Sequence, residues 1–340
     1  MRSRLVIIAA LILYAATRCY LFIQTETKAP TTGDAGHYYI IAQNLAANNS
    51  YADNPTVNDS ATVKTNIDIS SSPPPAATSR RFLPQSPPAT ASCKPTSSAT
   101  WRPPLWPFVL SVWMELTAIP YWQMILKLTF EGLLLVFVYL MLQSIEATNM
   151  VSGVVLSLLA IEPHYLKYSV TFLSENLTAF LLVLLTGSFL YSVMAHSRRA
   201  TWCVAVFGAL AVMSHPVVLP FVLMMVGVAI FRMFRIRRVS LALCTSALFF
   251  LVLMAWPLRN QLMFHQGLFM TTSQGAVLSK SWNDDVLSKH TNTQGDLLDE
   301  GLNVSRYPDL QSDMGSNPIQ NSATMTEATF RFLSETELII

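Results

Sequence analysis

Apolar runs of near-membrane length recur along the chain from Leu5 to Trp256, separated by short connections in which charge collects. The runs occupy 5–24, 122–142, 150–165, 172–194, 201–214, 217–231 and 239–256, with a further apolar stretch at 105–119. Apolar character sustained over such lengths predicts membrane helices rather than the one-sided helices of a soluble domain. The pattern therefore predicts an all-α, polytopic membrane protein. Several runs fall short of the roughly 20 residues that an upright helix needs to cross the hydrocarbon layer, and these are expected as short helices at thin edges of the bundle.

The connections orient the bundle. Arg198 and Arg199 follow one run, and Arg232, Arg235, Arg237 and Arg238 follow another, so both connections are expected on the cytoplasmic side. The apolar stretch between them is broken at Ser214-His215-Pro216, which predicts two short helices meeting at an external turn. Counting outward puts Trp256 to Asn260, the connection 165–171 and the segment 25–104 on the external face, provided that 105–119 does not fully cross. Behind Pro103, Pro104 and Pro107, that stretch suits a re-entrant or interfacial helix. The opening Met1-Arg2-Ser3-Arg4 and the run behind it are similar to a signal peptide. The run is long for one, is interrupted by Arg18 and offers only a weak processing site at 15–17, so a retained first helix is expected, with Arg2 and Arg4 inside.

Composition agrees with this picture. Of 340 residues, 52% are hydrophobic and 12% charged, about half the charge fraction of soluble domains. A net charge of +2, with basic residues in short clusters, gives no nucleic-acid footprint. Cys19, Cys93, Cys203 and Cys244 are not spaced as metal ligands, and no metal site or certain cofactor is expected. Residues 56–100, rich in Ser, Thr, Pro, Ala and Asn, are expected as a flexible external loop. Residues 284–340 read as a polar external segment whose last twelve residues turn mildly apolar. Asn48, Asn58, Asn176 and Asn303 open glycosylation triplets that suit external placement.

Four polar segments could carry chemistry. The first follows the opening helix, where 38, 41, 42 and 45 keep helical spacing and predict a short amphipathic helix resting on the membrane surface. Asp34 stands near its N-cap with His37 and Tyr38 on the same face; the carboxylate either caps the helix or accepts a proton at the lipid–water boundary. The second is Trp101-Arg102-Pro103-Pro104-Leu105-Trp106-Pro107, where Arg102 can grip a lipid phosphate and the tryptophans read as membrane-interface anchors. The third joins Glu162, His164 and Lys167 to Ser174-Glu175-Asn176; Glu175 is the one charge in its apolar helix and either caps it or serves a site. The fourth is Pro257-Leu258-Arg259-Asn260, with Arg259 as a bidentate phosphate ligand or a snorkelling side chain, Asn260 as a hydrogen-bond partner, and His215 at the neighbouring turn. No phosphate-cradling glycine loop, zinc pair or serine elbow is present.

In this order the segments resemble the GT-C type of lipid-dependent glycosyltransferase, similar to the protein O-mannosyltransferase and aminoarabinose transferase group (glycosyltransferase family 39-like). The resemblance spans residues 1–283. It rests on Asp34, Tyr38 and Ala42, the run from Arg102 to Pro107, Ser174-Glu175-Asn176, His215-Pro216 and the run from Trp256 to Asn260. It implies a GT-C transmembrane module with a periplasmic or lumenal cavity, in a bacterial inner membrane or, alternatively, the endoplasmic reticulum. It also implies a polyprenyl- or dolichyl-phosphate sugar as donor, inverting displacement, Asp34 as general base, Arg259 and Arg102 against the phosphate, and Glu175 positioning substrate. Ala35 stands where many relatives carry Glu, which removes a carboxylate pair. Relatives continue through further helices, so 284–340 is expected to be a truncated remainder. A lipid-linked sugar transporter and an inactive membrane scaffold are the competing expectations.

Overall fold

The computed structural model describes residues 2–24, 33–48, 51, 102–116, 121–169, 171, 173–265, 269–272, 277–279, 282, 304, 306–313 and 318–335. The loop expected at 56–100, Trp101 and the triplets at Asn58 and Asn303 lie outside these residues.

The regular elements among the described residues are all helices. In order it forms α1 (Arg2–Gln24), α2 (Gly33–Asn48), α3 (Leu105–Leu116), α4 (Tyr121–Ser144), α5 (Asn149–Ile161), α6 (Pro163–Ser169), α7 (Glu175–Ala195) and α8 (Arg198–Ser214). A 3₁₀ turn (Pro216–Val218) leads to α9 (Leu219–Arg235), α10 (Val239–Phe264), α11 (Pro308–Gln311) and α12 (Pro318–Glu335). Among the described residues, four stretches are long and apolar enough to cross a membrane: Ile125–Ser144, Glu175–Ala195, Pro216–Arg235 and Val239–Met263. The protein is a polytopic, all-α membrane protein.

Two expected spans differ in instructive ways. The run at 150–165 is two helices, because Pro163 cannot continue the hydrogen-bond ladder and holds Glu162 in an extended conformation (φ −61°, ψ 121°). The Glu162 carboxylate then accepts the Tyr165 amide and caps α6. The run expected to end at Trp256 instead continues through Pro257 to Phe264, where His265 closes it in a left-handed conformation.

Contacts fix the direction of each helix. Val6 meets Gly153 and Arg18 donates to the Ala160 carbonyl, so α1 and α5 run parallel. The Phe180 ring of α7 packs on Phe130 and Phe137 of α4, while Thr178 near the start of α7 bonds Ser214 at the end of α8 (2.8 Å) and Ser192 bonds Thr201 at the other end (3.0 Å). One end of the bundle therefore gathers the start of α7, the ends of α8 and α10 and the C-terminal half of α1. Helix α3 begins at this same end, since its Trp106 ring lies 6.0 Å from the Lys127 ammonium near the start of α4. Its twelve residues reach about 18 Å, well short of the thickness of a bilayer.

The α1–α5 seam is a close approach. A Cβ on Gly153 would collide with the stiff Val6 side chain and reach its backbone carbonyl carbon at 3.2 Å. Gly153→Ala is expected to lower stability in a detergent melt by about 1–3 kcal/mol. Val6→Ala in the same chain should return part of it, since Val6 Cβ stays 2.9 Å from the added methyl; a silent Gly153→Ala would show that the seam is looser than described.

Two surfaces depart from expectation. The apolar side of α2 is covered by α3 and the bundle rather than by lipid: Ile41 and Ala42 are buried, and Tyr38 joins the main core cluster. The segment 284–340 is not simply polar, because Met325, Ala328, Thr329 and Phe332 form a buried helical stripe on α12 that closes a small core with Val304, Tyr307 and Leu310. Arg331 bridges this unit, 2.6 Å from Asp309, and holds that carboxyl below its ordinary range.

Candidate functional site

Because α10 continues past Pro257, Trp256, Arg259 and Met263 share a face, and that face lines a cavity of about 560 Å³. The opposite walls are Leu45 of α2, Tyr51, Pro104, Leu105, Phe108 and Met213. The lining is apolar apart from the Tyr51 hydroxyl and one guanidinium, that of Arg259. Arg259 is held between aromatic faces, 4.7 Å from the Trp256 ring and 5.5 Å from Tyr51, and its Nη1 donates to Asn260 Oδ1 (3.0 Å). Asn260 is buried, so it orients the arginine from behind. The Trp256 indole donates to the Met270 carbonyl (3.2 Å) and pins the chain beyond the helix.

Tyr51 ties this cleft to the second expected segment. Its hydroxyl donates to the Arg102 carbonyl (2.9 Å), and the Arg102 guanidinium lies 5.6 Å from the Tyr38 ring. Tyr38 Oη in turn sits 3.4 Å from Ser174 Oγ, directly before Glu175. Arg102, Tyr38, Glu175, Arg259, Asn260 and the His215 turn therefore gather at one end of the bundle. Glu175 and His37 are half-buried, and Glu175 Oε2 and His37 Nδ1 find no hydrogen-bond partner among the described residues. His215 stands extended between α8 and the 3₁₀ turn. Asp34 lies in the first turn of α2 and His164 on α6, with both side chains outside the described residues. Leu45 reaches the Arg259 cleft eleven residues after Asp34, about 16 Å along the helix axis, whereas Tyr38 is one turn away. Along α2, Asp34 is thus closer to Arg102 than to the cleft of Arg259.

The structure corrects two further readings. Trp106 is fully buried in the main core and so is no membrane-interface anchor. Asn176 is 0% exposed, which removes its triplet as a glycan acceptor in this fold.

The largest feature that sequence reasoning missed lies deeper. Arg18 (3% exposed), Glu131 (0%) and Lys127 (1%) are buried inside the bundle with Asn176. Arg18 Nε donates to Glu131 Oε2 (3.0 Å), Asn176 Nδ2 donates to Glu131 Oε1, and Arg18 Nη1 reaches the Ala160 carbonyl. The Tyr14 and Tyr165 rings flank the guanidinium at 4.7 and 5.7 Å. Lys127 donates to the main-chain carbonyls of Tyr168 and Thr171, fixing the connection that leads into Glu175. Four helices, α1, α4, α5 and α7, meet on these charges. The signal was available: two ionisable residues, Lys127 and Glu131, four apart in an otherwise apolar run. Among the described residues no group of His, Cys, Asp and Glu could hold a metal ion.

Compared with protein-family models, curated proteins and solved structures, the chain finds no match in any of the three.

Proposed function

We propose that this protein is an inverting glycosyltransferase that moves a sugar from a polyprenyl- or dolichyl-phosphate carrier to an acceptor at the extracytoplasmic membrane face. The observation that carries the reading is the apolar cleft with one guanidinium on its wall, because a carrier of this class is a hydrocarbon chain ending in a phosphate. The chain occupies the cleft, and its phosphate lies between Arg259 on the cleft wall and Arg102, the guanidinium nearer Asp34 along α2. Arg102, tied to the cleft through Tyr51, stands between it and the start of α2. In the transfer step the acceptor hydroxyl attacks the anomeric carbon and its proton passes to the Asp34 carboxylate. The anomeric bond to phosphate breaks, and the carrier phosphate leaves with the bonding pair. The two guanidinia offset the charge that collects on it.

A transporter of the same lipid is the second reading. Arg18, Lys127 and Glu131, buried within α1 and α4, favour it, since charges at membrane depth mark translocation pathways as well as helix contacts. Proteoliposomes supplied with a panel of labelled polyprenyl-phosphate sugars decide between them. Transfer predicts appearance of the sugar on an acceptor together with the free carrier phosphate; movement of intact carrier between leaflets without transfer supports the transporter. Arg259→Gln should raise the donor KM about 10- to 100-fold, the equivalent of one charged hydrogen bond, with Arg259→Lys intermediate. An unchanged donor KM would take Arg259 out of the phosphate site.

A further inference from the structure

The end of the bundle opposite the cleft carries a concentration of positive charge that the transfer reading leaves unused. Helix α8 opens with Arg198 and Arg199, α9 closes with Arg232 and Arg235, and the turn to α10 holds Arg237 and Arg238. Two of the six stitch the turns together. Arg232 Nη2 donates to the Val193 carbonyl (2.6 Å) and lies 3.4 Å from His196 Nδ1, and Arg238 Nη1 donates to the His196 carbonyl (2.8 Å). The two turns consequently form one surface, each made tight by a left-handed residue, His196 (φ 51°) and Arg237 (φ 58°).

The other four, Arg198, Arg199, Arg235 and Arg237, are exposed. Helix stability does not account for the first two, because cations in the first turn oppose the helix dipole. Among the described residues of α4 to α10, the acidic side chain at this end is Glu146, in the turn between α4 and α5. Around the guanidinia the surface is apolar: Trp202, Phe231, Phe234 and Val239 are all exposed. Exposed guanidinium groups within a turn of exposed aromatic and aliphatic side chains match an amphiphile whose phosphate sits over hydrocarbon, and they match a nucleic acid or an acidic protein poorly.

We propose that this four-arginine surface binds the headgroups of anionic phospholipids, so that the protein gathers such lipids around this end in preference to zwitterionic ones. The guanidinium fork engages a phosphodiester bidentately, and each basic residue close to an anionic leaflet adds to the attraction. The proposal does not depend on the transfer reading.

Trp202, four residues after Arg198 and so on its face of α8, is a built-in reporter. The full chain, reconstituted with phosphatidylcholine and a minor fraction of either phosphatidylglycerol or phosphatidylcholine brominated in its acyl chains, is compared with the same chain carrying Trp202→Phe; the difference isolates quenching at Trp202. Brominated phosphatidylglycerol should be enriched at Trp202 at least about fivefold over brominated phosphatidylcholine, the factor that one basic residue near an anionic surface supplies. The enrichment should fall with added salt. Joint replacement of Arg198, Arg199, Arg235 and Arg237 by Gln should abolish it, and joint replacement by Lys should keep most of it, which separates lost charge from lost folding. Equal quenching by the two lipids in the unaltered chain, or a preference that survives the Gln replacements, overturns the proposal.

Discussion

Glu131→Leu alone is expected to cost about 3–5 kcal/mol, because it leaves the Arg18 guanidinium buried without its counter-charge. The loss is large against a total stability of about 5–15 kcal/mol. Arg18→Met alone should cost a similar amount by removing the ion pair of the carboxylate, which keeps Asn176 Nδ2 and the charge of Lys127 one turn away. The double variant, Arg18→Met with Glu131→Leu, should recover most of the loss, since an apolar pair of similar volume avoids the desolvation cost of both ions. Melting of the purified protein in detergent, followed by monodispersity, measures all three, and the pattern identifies the cause. Two large single losses with a near-neutral double mark an ion pair clamping α1 to α4, α5 and α7. Single losses that add in the double would instead assign the cost to packing, and two silent singles would remove the clamp altogether.

How this cluster escaped sequence reading is itself physical. Lys127 and Glu131 stand four apart in a helix, where opposite charges are ordinarily partners of each other, and their apolar neighbours outweigh them in any window of membrane length. In the fold they turn to different partners. Lys127 goes to the carbonyls before α7, and Glu131 goes to Arg18 across more than a hundred residues of sequence. Such pairing at a distance is invisible to periodicity. Features governed by local rules were legible: the breaks at proline, the approximate spans, the short α2, and the two arginine turns at one end, which hydrogen bonds from Arg232 and Arg238 join directly. The gathering of Arg102, Glu175 and Arg259 at the opposite end followed from counting helices. What counting could not supply was the cleft, because a proline that was expected to end α10 is carried inside it and turns Arg259 onto the cavity wall. The role of Tyr51 in joining Arg102 to Arg259 depends on a residue with no sequence signal at all.

Asp34→Asn is expected to lower the proposed transfer rate by about 10²- to 10⁴-fold, the range associated with loss of a general base, with helix content unchanged and a stability loss of at most about 1 kcal/mol. Two roles for this carboxylate compete. At the start of α2 it can cap exposed amides and complement the helix dipole, and it can accept the proton of the acceptor hydroxyl. The substitution separates them, because Asn caps a helix about as well as Asp but is no base at neutral pH. Asp34→Ala provides the opposite contrast, losing the cap at about 1 kcal/mol together with the base. Transfer measured in proteoliposomes should therefore collapse in both variants, while melting shifts little for Asn, which loses only the charge–dipole contribution of at most about 1 kcal/mol, and more for Ala. If Asn transfers at the rate of the unaltered protein and Ala merely melts earlier, Asp34 is a cap. The proton acceptor must then be sought among the groups around Arg102 and Tyr38, where Glu175 Oε2 and His37 Nδ1 lie without hydrogen-bond partners among the described residues.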